Sequence, residues 1–443
     1  MVVGLKASNG KVKVEVLAGI TTFLTMAYII IVNPVILSAA GMPLGPAMVA
    51  TIMAAAIATI LTGVYARKPF AMAPYMGENA FFAFAVVAAL GVTWNAALGA
   101  VFIAGIIFLL VTISGLRMAL VRAIPPFLAA SWAVAIGLFL MFIGLANAGI
   151  SMPGIPGAPV TIGNLAKPEA IIVFIGIAVT LFLHIRRVPG SILIGIIFTM
   201  ALGFAAGFMG LGELLPRQAP PVVGPIPNWG EVLLKMDLVG AVSTFALIPI
   251  IVVMFLMDFL DTMGTALGLG AKAGFLDEKG HFPGLEKVMQ VDAVATALGA
   301  VFGTSTTGTY IESAAGIEQG GRTGLTAIVT GLLFLASLAF TPFFSNLPAG
   351  FLQLIAAPAL VAVGIMMMST IHMIDFKDVT QAIPSTLTIA FMLFTYNIGF
   401  GLAVGLVAYP LVMAAAGKAR EVHPFMWALW VLGILLFIIY PYH

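Results

Sequence analysis

The chain has no cysteine among its 443 residues, which excludes disulfides, thiolate metal sites and cysteine nucleophiles while leaving the compartment undetermined. Charge is also scarce. Only 8% of residues are Asp, Glu, Lys or Arg, against about 25% in a typical soluble domain, so the chain cannot cover itself with a polar surface. The formal net charge of +2 is scattered through short loops rather than gathered in a basic tail, which speaks against nucleic acid as a partner. The phosphate-cradling pattern GxxxxGKS/T is missing, so ATP hydrolysis is not the expected energy source. Of the five histidines, His184, His281, His372, His423 and His443, none lies inside an apolar run away from its ends. No two form a ligand pair on one helix, and neither a metal site nor a cofactor is expected.

What the chain does have is apolar sequence, 62% of its residues, arranged in runs of the about 17 to 25 residues that cross a bilayer. Residues 1–13 are polar and lack a signal-peptide core, so the first apolar helix is expected to remain in the membrane. Gly, Pro and charge punctuation places spans near 16–32, 46–65, 71–91, 94–114, 124–147, 169–185 and 190–209. After a polar, Pro-rich connection come 240–266, 288–302, 304–320, 323–343, 352–373, 380–397 and 399–416, with a further apolar stretch at 425–440. Basic residues test this parity, because cytoplasmic loops are enriched in Lys and Arg. Of the 19, only Lys167, Arg217 and Lys235 fall on the second side. Residues such as Lys6, Arg67, Lys68, Arg117, Arg122, Lys272, Lys279 and Arg322 fall on the first, which predicts a cytoplasmic N-terminus and a place in the plasma (inner) membrane.

The expected fold is therefore an all-α polytopic membrane protein of fourteen spans in two seven-span repeats. An odd number of spans inverts the second copy, the plan of secondary transporters. The first repeat covers 1–210, an extracytoplasmic connection 211–237, the second repeat 238–417 and a C-terminal apolar segment 418–443. Spans three and ten depart from helix at matching places. Pro74 and Gly77 interrupt the first of them, and residues 303–309 (GTSTTGT) fill the second with glycine and β-branched residues. Both are expected to be short strands first and helices afterwards. Such backbone at bilayer depth is tolerated only inside protein or beside a watery cavity, which points to a midplane site.

A carboxylate at a helix centre costs about 2.5 to 3.5 kcal/mol on insertion scales, so buried acids are functional candidates. Six lie within the spans: Glu78, Asp258, Asp261, Asp292, Glu312 and Glu318. Asp258 and Asp261 are three residues apart, on one helical face with Thr262 and Thr265 nearby, and could share a proton or simply be satisfied by those hydroxyls. Glu312 opens the helical half of span ten, as a ligand acceptor or only a cap. Glu78 and Asn79 hold the equivalent place in span three, where an amide offers both donor and acceptor. Their neighbours Met76, Gly77, Thr309, Tyr310 and Ser313 are candidates for lining the same pocket. Glu318 is expected to pair with Arg322 four residues on, Asp292 to be structural, and the methionines, Met366 to Met368 included, to be ordinary packing.

These residues also carry a resemblance. Residues 17–28 (LAGITTFLTMAY) with Val32, Asn33 and Pro34, residues 73–82 (APYMGENAFF), residues 258–265 and residues 303–316 (GTSTTGTYIESAAG) together resemble the AzgA-like adenine/guanine/hypoxanthine permeases of the nucleobase-ascorbate transporter superfamily. The resemblance runs along essentially the whole chain. It implies a core domain of spans 1–4 and 8–11, a gate domain of spans 5–7 and 12–14, and symport of a purine nucleobase with protons across the lipid bilayer. By motif it implies purine contacts at Asn79, Asp258 and Glu312, with Asp261 also needed. A departure is Glu78, where many members carry leucine, and with Asp261 it is a candidate for proton coupling. Other nucleobases or inorganic anions on the same fold, a channel and an intramembrane enzyme are the alternatives; no lysine or arginine in mid-span suits an anion, and no nucleophile and base constellation suits catalysis. The oligomeric state is open, a homodimer included.

Overall fold

The computed structural model describes residues 9–115, 124–154, 158–222, 224–278 and 281–439. Lys6, Arg117, Arg122, Lys279 and His443, among those singled out above, lie outside the described residues, as does the last residue of the 425–440 stretch. Helices α1 (Asn9–Met26) and α2 (Ile29–Ser38) form one rod interrupted by a turn at Ala27 and Tyr28, and α3 (Leu44–Leu61) returns to a π-turn (Thr62–Ala66) closed by Arg67 at φ 56°. Strand β1 (Met72–Pro74) and helix α4 (Met76–Ala80), continued as a π-helix to Ala89, lead to α5 (Trp94–Ser114). Then come α6 (Pro126–Asn147), a hairpin of β2 (Ser151–Pro153) and β3 (Val160–Ile162), α7 (Pro168–Ile185) and α8 (Ser191–Phe208).

The second half begins with the short α9 (Leu238–Ser243) and the long α10 (Leu247–Lys272), so the single helix expected from residue 240 is two pieces. Helix α11 (Leu285–Phe302), strand β4 (Thr307–Thr309) and α12 (Ser313–Glu318) follow. After them run α13 (Gly324–Ser337), α14 (Thr341–Ser345), α15 (Ala349–Met367), α16 (Val379–Phe394), α17 (Ile398–Ala415) and α18 (Pro424–Ile439). The apolar stretch after residue 424 is thus a helix, and it packs on α17.

Ten helical stretches among the described residues are long and apolar enough to cross a bilayer, which makes this a mostly helical, multi-pass membrane fold. Four expected spans fall short of that measure for visible reasons. Residues 71–91 and 304–320 are interrupted by β1 and β4, α11 carries Glu286, Lys287 and Asp292, and α16 has 16 residues.

Helices α1, α3 and α5 pack against α12 and α13, α11 and α13, and α9 to α11 respectively; α6 packs against α15 and α16, and α7 against α8 and α15. Without a hydrophobic force between helices in lipid, such packing relies on small residues that let backbones touch. The α6–α15 crossing is of this kind: a methyl at Gly137 would lie 2.6 Å from the Gly364 carbonyl oxygen, and one at Gly364 would strike the Gly137 carbonyl.

At the centre, β1 and β4 run antiparallel, with Met72 opposite Thr309, Ala73 opposite Gly308 and Pro74 opposite Thr307. Tyr75 N–H to Thr306 O (3.1 Å) and Tyr310 N–H to Ala71 O (2.9 Å) extend the pairing at both ends. All six strand residues are buried, so the strands answer the demand that non-helical backbone at this depth be hydrogen-bonded within the protein.

Gly364→Ala and Gly137→Leu are expected to lower thermal stability in detergent by about 1 to 3 kcal/mol, since overpacking here meets backbone rather than a movable side chain. Gly264→Ala, where a methyl meets nothing within 4 Å, serves as the control. Unfolding curves that do not separate the two sets would contradict the close crossing.

Candidate functional site

The paired strands hold two helix starts at the two ends of one short ladder. Helix α4 begins just after β1 and carries Glu78 and Asn79; α12 begins just after Glu312. Asn79 is fully buried, its N–H bonds to Tyr75 O at 2.9 Å, and its Oδ1 accepts the Ser305 hydroxyl, which ties span three to span ten. Its Nδ2 has no partner. Glu312 is 8% exposed, and its Oε1 accepts the Tyr28 hydroxyl at 2.6 Å.

Helices α10 and α11 bring the other acids, through a reciprocal exchange. Asp258 on α10 accepts the Thr296 hydroxyl of α11 at 2.6 Å, while Asp292 on α11 accepts the Thr262 hydroxyl of α10 at 2.7 Å. In each helix the acid and the threonine are four residues apart and so share a face. The two acids differ in what is left over. Asp292 also takes the Thr309 N–H (2.7 Å) and hydroxyl (2.8 Å), whereas Asp258 Oδ1 has no partner. Buried polar atoms are nearly always hydrogen-bonded, so the free Asn79 Nδ2 and Asp258 Oδ1 mark where a polar ligand can bind.

Three of the expected pocket-lining residues spend their polar groups on the scaffold. Thr309 is held by Asp292, the Tyr310 hydroxyl donates to Pro74 O, and Ser313 Oγ accepts the Ala71 N–H at 2.9 Å. The rings of Tyr75 and Tyr310 stack 6.1 Å apart, and Tyr75 Oη also meets Thr262 Oγ1 (3.1 Å) and Thr309 O (3.2 Å). Met76 is buried, and Gly77 faces the second group of helices: a methyl on it would lie 3.1 Å from Ile136 Cγ2 of α6 and 3.8 Å from Met367 Cε of α15. Met367, expected to be ordinary packing, therefore borders the site.

Asp261 differs from Asp258, three residues before it, in being exposed. It sits within electrostatic range of Glu312 and Glu78. Gly264 and Gly268 continue its face toward Lys272, with open space where their side chains would be, and Ile311, 49% exposed, lies beside Glu312. A charged residue facing lipid would be costly, so we read this open face as a watery crevice, entered from the α10 C-terminal end. At that end Glu318 pairs with Lys272 at 2.5 Å, rather than with Arg322 as its spacing suggested. Arg322 is occupied instead by the carbonyls of Ile317 and Gly321.

Two contributors escaped the sequence. Tyr28 gave a faint signal, a hydroxyl-bearing ring within an apolar helix; Thr296 gave another, four residues after an acid. Among the described residues no lysine or arginine forms an ion pair with Glu78, Asp258, Asp261, Asp292 or Glu312. The site therefore offers an amide donor, carboxylate acceptors and apolar walls, which suits a small, uncharged ligand with N–H groups on one edge.

Because the chain has no native cysteine, the crevice can be probed without background. Gly264→Cys and Gly268→Cys are expected to react with a membrane-impermeant thiol reagent from one side of the membrane, and Ala266→Cys, at a buried position, to stay unlabelled. Equal protection of all three would place the open face in lipid.

Comparison with known proteins adds the family. The sequence profile of the Permease family matches residues 13–404. The guanine/hypoxanthine permease PbuO of Bacillus subtilis is 39% identical over 98% of this chain and 98% of its own length. The adenine permease AdeP of Escherichia coli is 36% identical over 98% of this chain and 94% of its own. Among solved structures, the transmembrane domain of the cyanobacterial bicarbonate transporter BicA superposes with a TM-score of 0.65 at 14% identity, covering 93% of this chain and 98% of that one, a likeness of fold alone. The chain accordingly belongs to the permease family of nucleobase-ascorbate transporters, as its motifs implied, and is a membrane transport protein rather than an enzyme.

Proposed function

We propose that this protein is a secondary active permease that imports a purine nucleobase together with protons. The observation that carries the proposal is that two buried polar atoms on the residues around the strand pair, Asn79 Nδ2 and Asp258 Oδ1, have no partner, while Glu312 opens the helix at the other end of the ladder. A purine presents ring N–H and amino donors alongside acceptor nitrogens on one flat edge. Its donors meet Asp258 and Glu312 and its acceptor meets Asn79. The similarity to permeases for adenine and for guanine and hypoxanthine supports this substrate class.

In this proposal the fourteen apolar segments are spans of two inverted repeats, with the N-terminus on the cytoplasmic side of the plasma membrane. Spans 1–4 and 8–11 form a core that holds the ligand, and spans 5–7 and 12–14 form a gate. The helix groups that pack among themselves support that division. Asp261, exposed in the crevice and close to Glu78 and Glu312, is the group through which a proton enters, with Glu78 as its neighbour.

The test is uptake of radiolabelled adenine, guanine and hypoxanthine into proteoliposomes under an inward proton gradient, with uracil, bicarbonate and sulfate alongside. Purine uptake that a protonophore abolishes is expected. Purine uptake that survives it would remove the coupling, and anion uptake would replace the substrate class. A hydrogen bond to a charged partner is worth about 1.5 to 3 kcal/mol, so Glu312→Gln is expected to weaken purine binding by about ten- to a hundredfold. Its membrane insertion should be normal, and near wild-type uptake would remove Glu312 from the ligand.

A further inference from the structure

We infer that Tyr28 is a positioning residue that sets ligand selectivity through Glu312. The inference rests on the purine reading above and extends it to a residue that does not face the ligand. Tyr28 is 1% exposed and lies at the turn between α1 and α2, where its hydroxyl reaches Glu312 Oε1 at 2.6 Å. Glu312 precedes a short helix, and beyond its own backbone N–H the Tyr28 hydroxyl is the hydrogen-bond partner that orients its carboxylate.

A tyrosine hydroxyl given to one carboxylate oxygen has two effects. It holds the carboxylate plane in one orientation, and it occupies one of the lone-pair directions that a ligand N–H could otherwise use. A carboxylate with both oxygens free could turn to meet donors at several positions on a heterocycle. Held by Tyr28, it presents its remaining lone pairs in fixed directions, and a site built around a specific hydrogen bond rejects analogues that lack the donor because the acceptor is then left unpaired. Preorganisation of this kind is worth affinity because the ordering is done before the ligand arrives.

The structure also separates Tyr28 from the rest of the network. Asn79, Asp258 and Asp292 are tied by Ser305, Thr296, Thr262 and Thr309, all on spans three and eight to ten. Tyr28 is the hydrogen-bonded link from the first rod to the ligand-facing acid. Removing its hydroxyl leaves the ring to fill the same space, so Tyr28→Phe keeps the packing.

The experiment measures KM, Vmax and competition by purine analogues for Tyr28→Phe in proteoliposomes, alone and combined with Glu312→Asp, whose shorter side chain cannot reach the hydroxyl. Tyr28→Phe is expected to raise KM by about tenfold with Vmax little changed, and to flatten the ranking of competitors. It should add no further penalty in the Glu312→Asp background, as befits residues acting through one contact. An unchanged KM and ranking, or the same penalty in both backgrounds, would overturn the inference. Infrared difference spectra supply a readout without substrate: the carboxyl band lost in Glu312→Gln should shift in Tyr28→Phe, and an unmoved band also overturns it. A wild type that takes up no purine while this band shifts would instead sink the purine reading and leave the positioning role supported.

Discussion

Backbone that leaves helical geometry inside an apolar protein has to find its hydrogen bonds there, since an unpaired N–H or C=O in hydrocarbon costs several kcal/mol. Two stretches of this chain leave helical geometry, one because Pro74 cannot continue it and one because residues 303–309 are glycine and β-branched. Each supplies what the other lacks. The ladder from Ala71 with Tyr310 to Tyr75 with Thr306 closes that demand, and in doing so fixes the places where α4 and α12 begin. Asn79 and Glu312 flank one ladder because strands far apart in sequence had to pair.

The same economy governs the acids. A buried charge is tolerable when donors surround it, and Asp292 is surrounded: two hydroxyls and a backbone N–H, all within 2.8 Å. It is a fastener between α11, α10 and β4. Asp258 occupies the mirror position in the reciprocal exchange yet keeps one oxygen without a partner. Breaking a saturated buried acid leaves several groups orphaned, whereas an acid with a spare oxygen is already organised to take a donor from outside. The difference between scaffold and ligand contact is thus one of hydrogen-bond accounting rather than of residue type.

Such accounting explains what could be read from the sequence and what could not. Composition and hydropathy reveal a multi-pass helical protein, and Pro74, Gly77 and the threonine tract mark the two breaks because those signals are local. Asp258 and Glu312 stand out because a carboxylate in an apolar run is costly wherever it points. Where it points depends on register between distant segments. Glu318 has Arg322 at helical spacing but meets Lys272, because α12 ends beside the C-terminus of α10. Thr309, Tyr310 and Ser313 look available in a polar motif, yet the strand pairing turns their hydroxyls to Asp292, Pro74 and Ala71. Tyr28 could not have been chosen over other aromatic residues without knowing that its hydroxyl meets Glu312.

The distribution of these bonds bears on the proposed alternating access. The polar links described around the site, Tyr28 to Glu312, Asn79 to Ser305 and the reciprocal Asp and Thr pairs, join α1 to α4 with α10 to α12. What lies opposite Gly77 across the seam toward α6 and α15 is different in kind: the nearest atoms to a methyl placed there would be those of Ile136 and Met367 Cε, all methyl groups. Separating methyl groups across a small area costs far less than breaking charge-assisted bonds in a low dielectric, where each partner would be left buried and unpaired. Relative motion should therefore open at the methyl contact and leave the hydrogen-bonded group intact. That places the moving surface against the same residues that carry the free polar atoms, so a ligand seated there would touch both bodies and its presence could bias the motion.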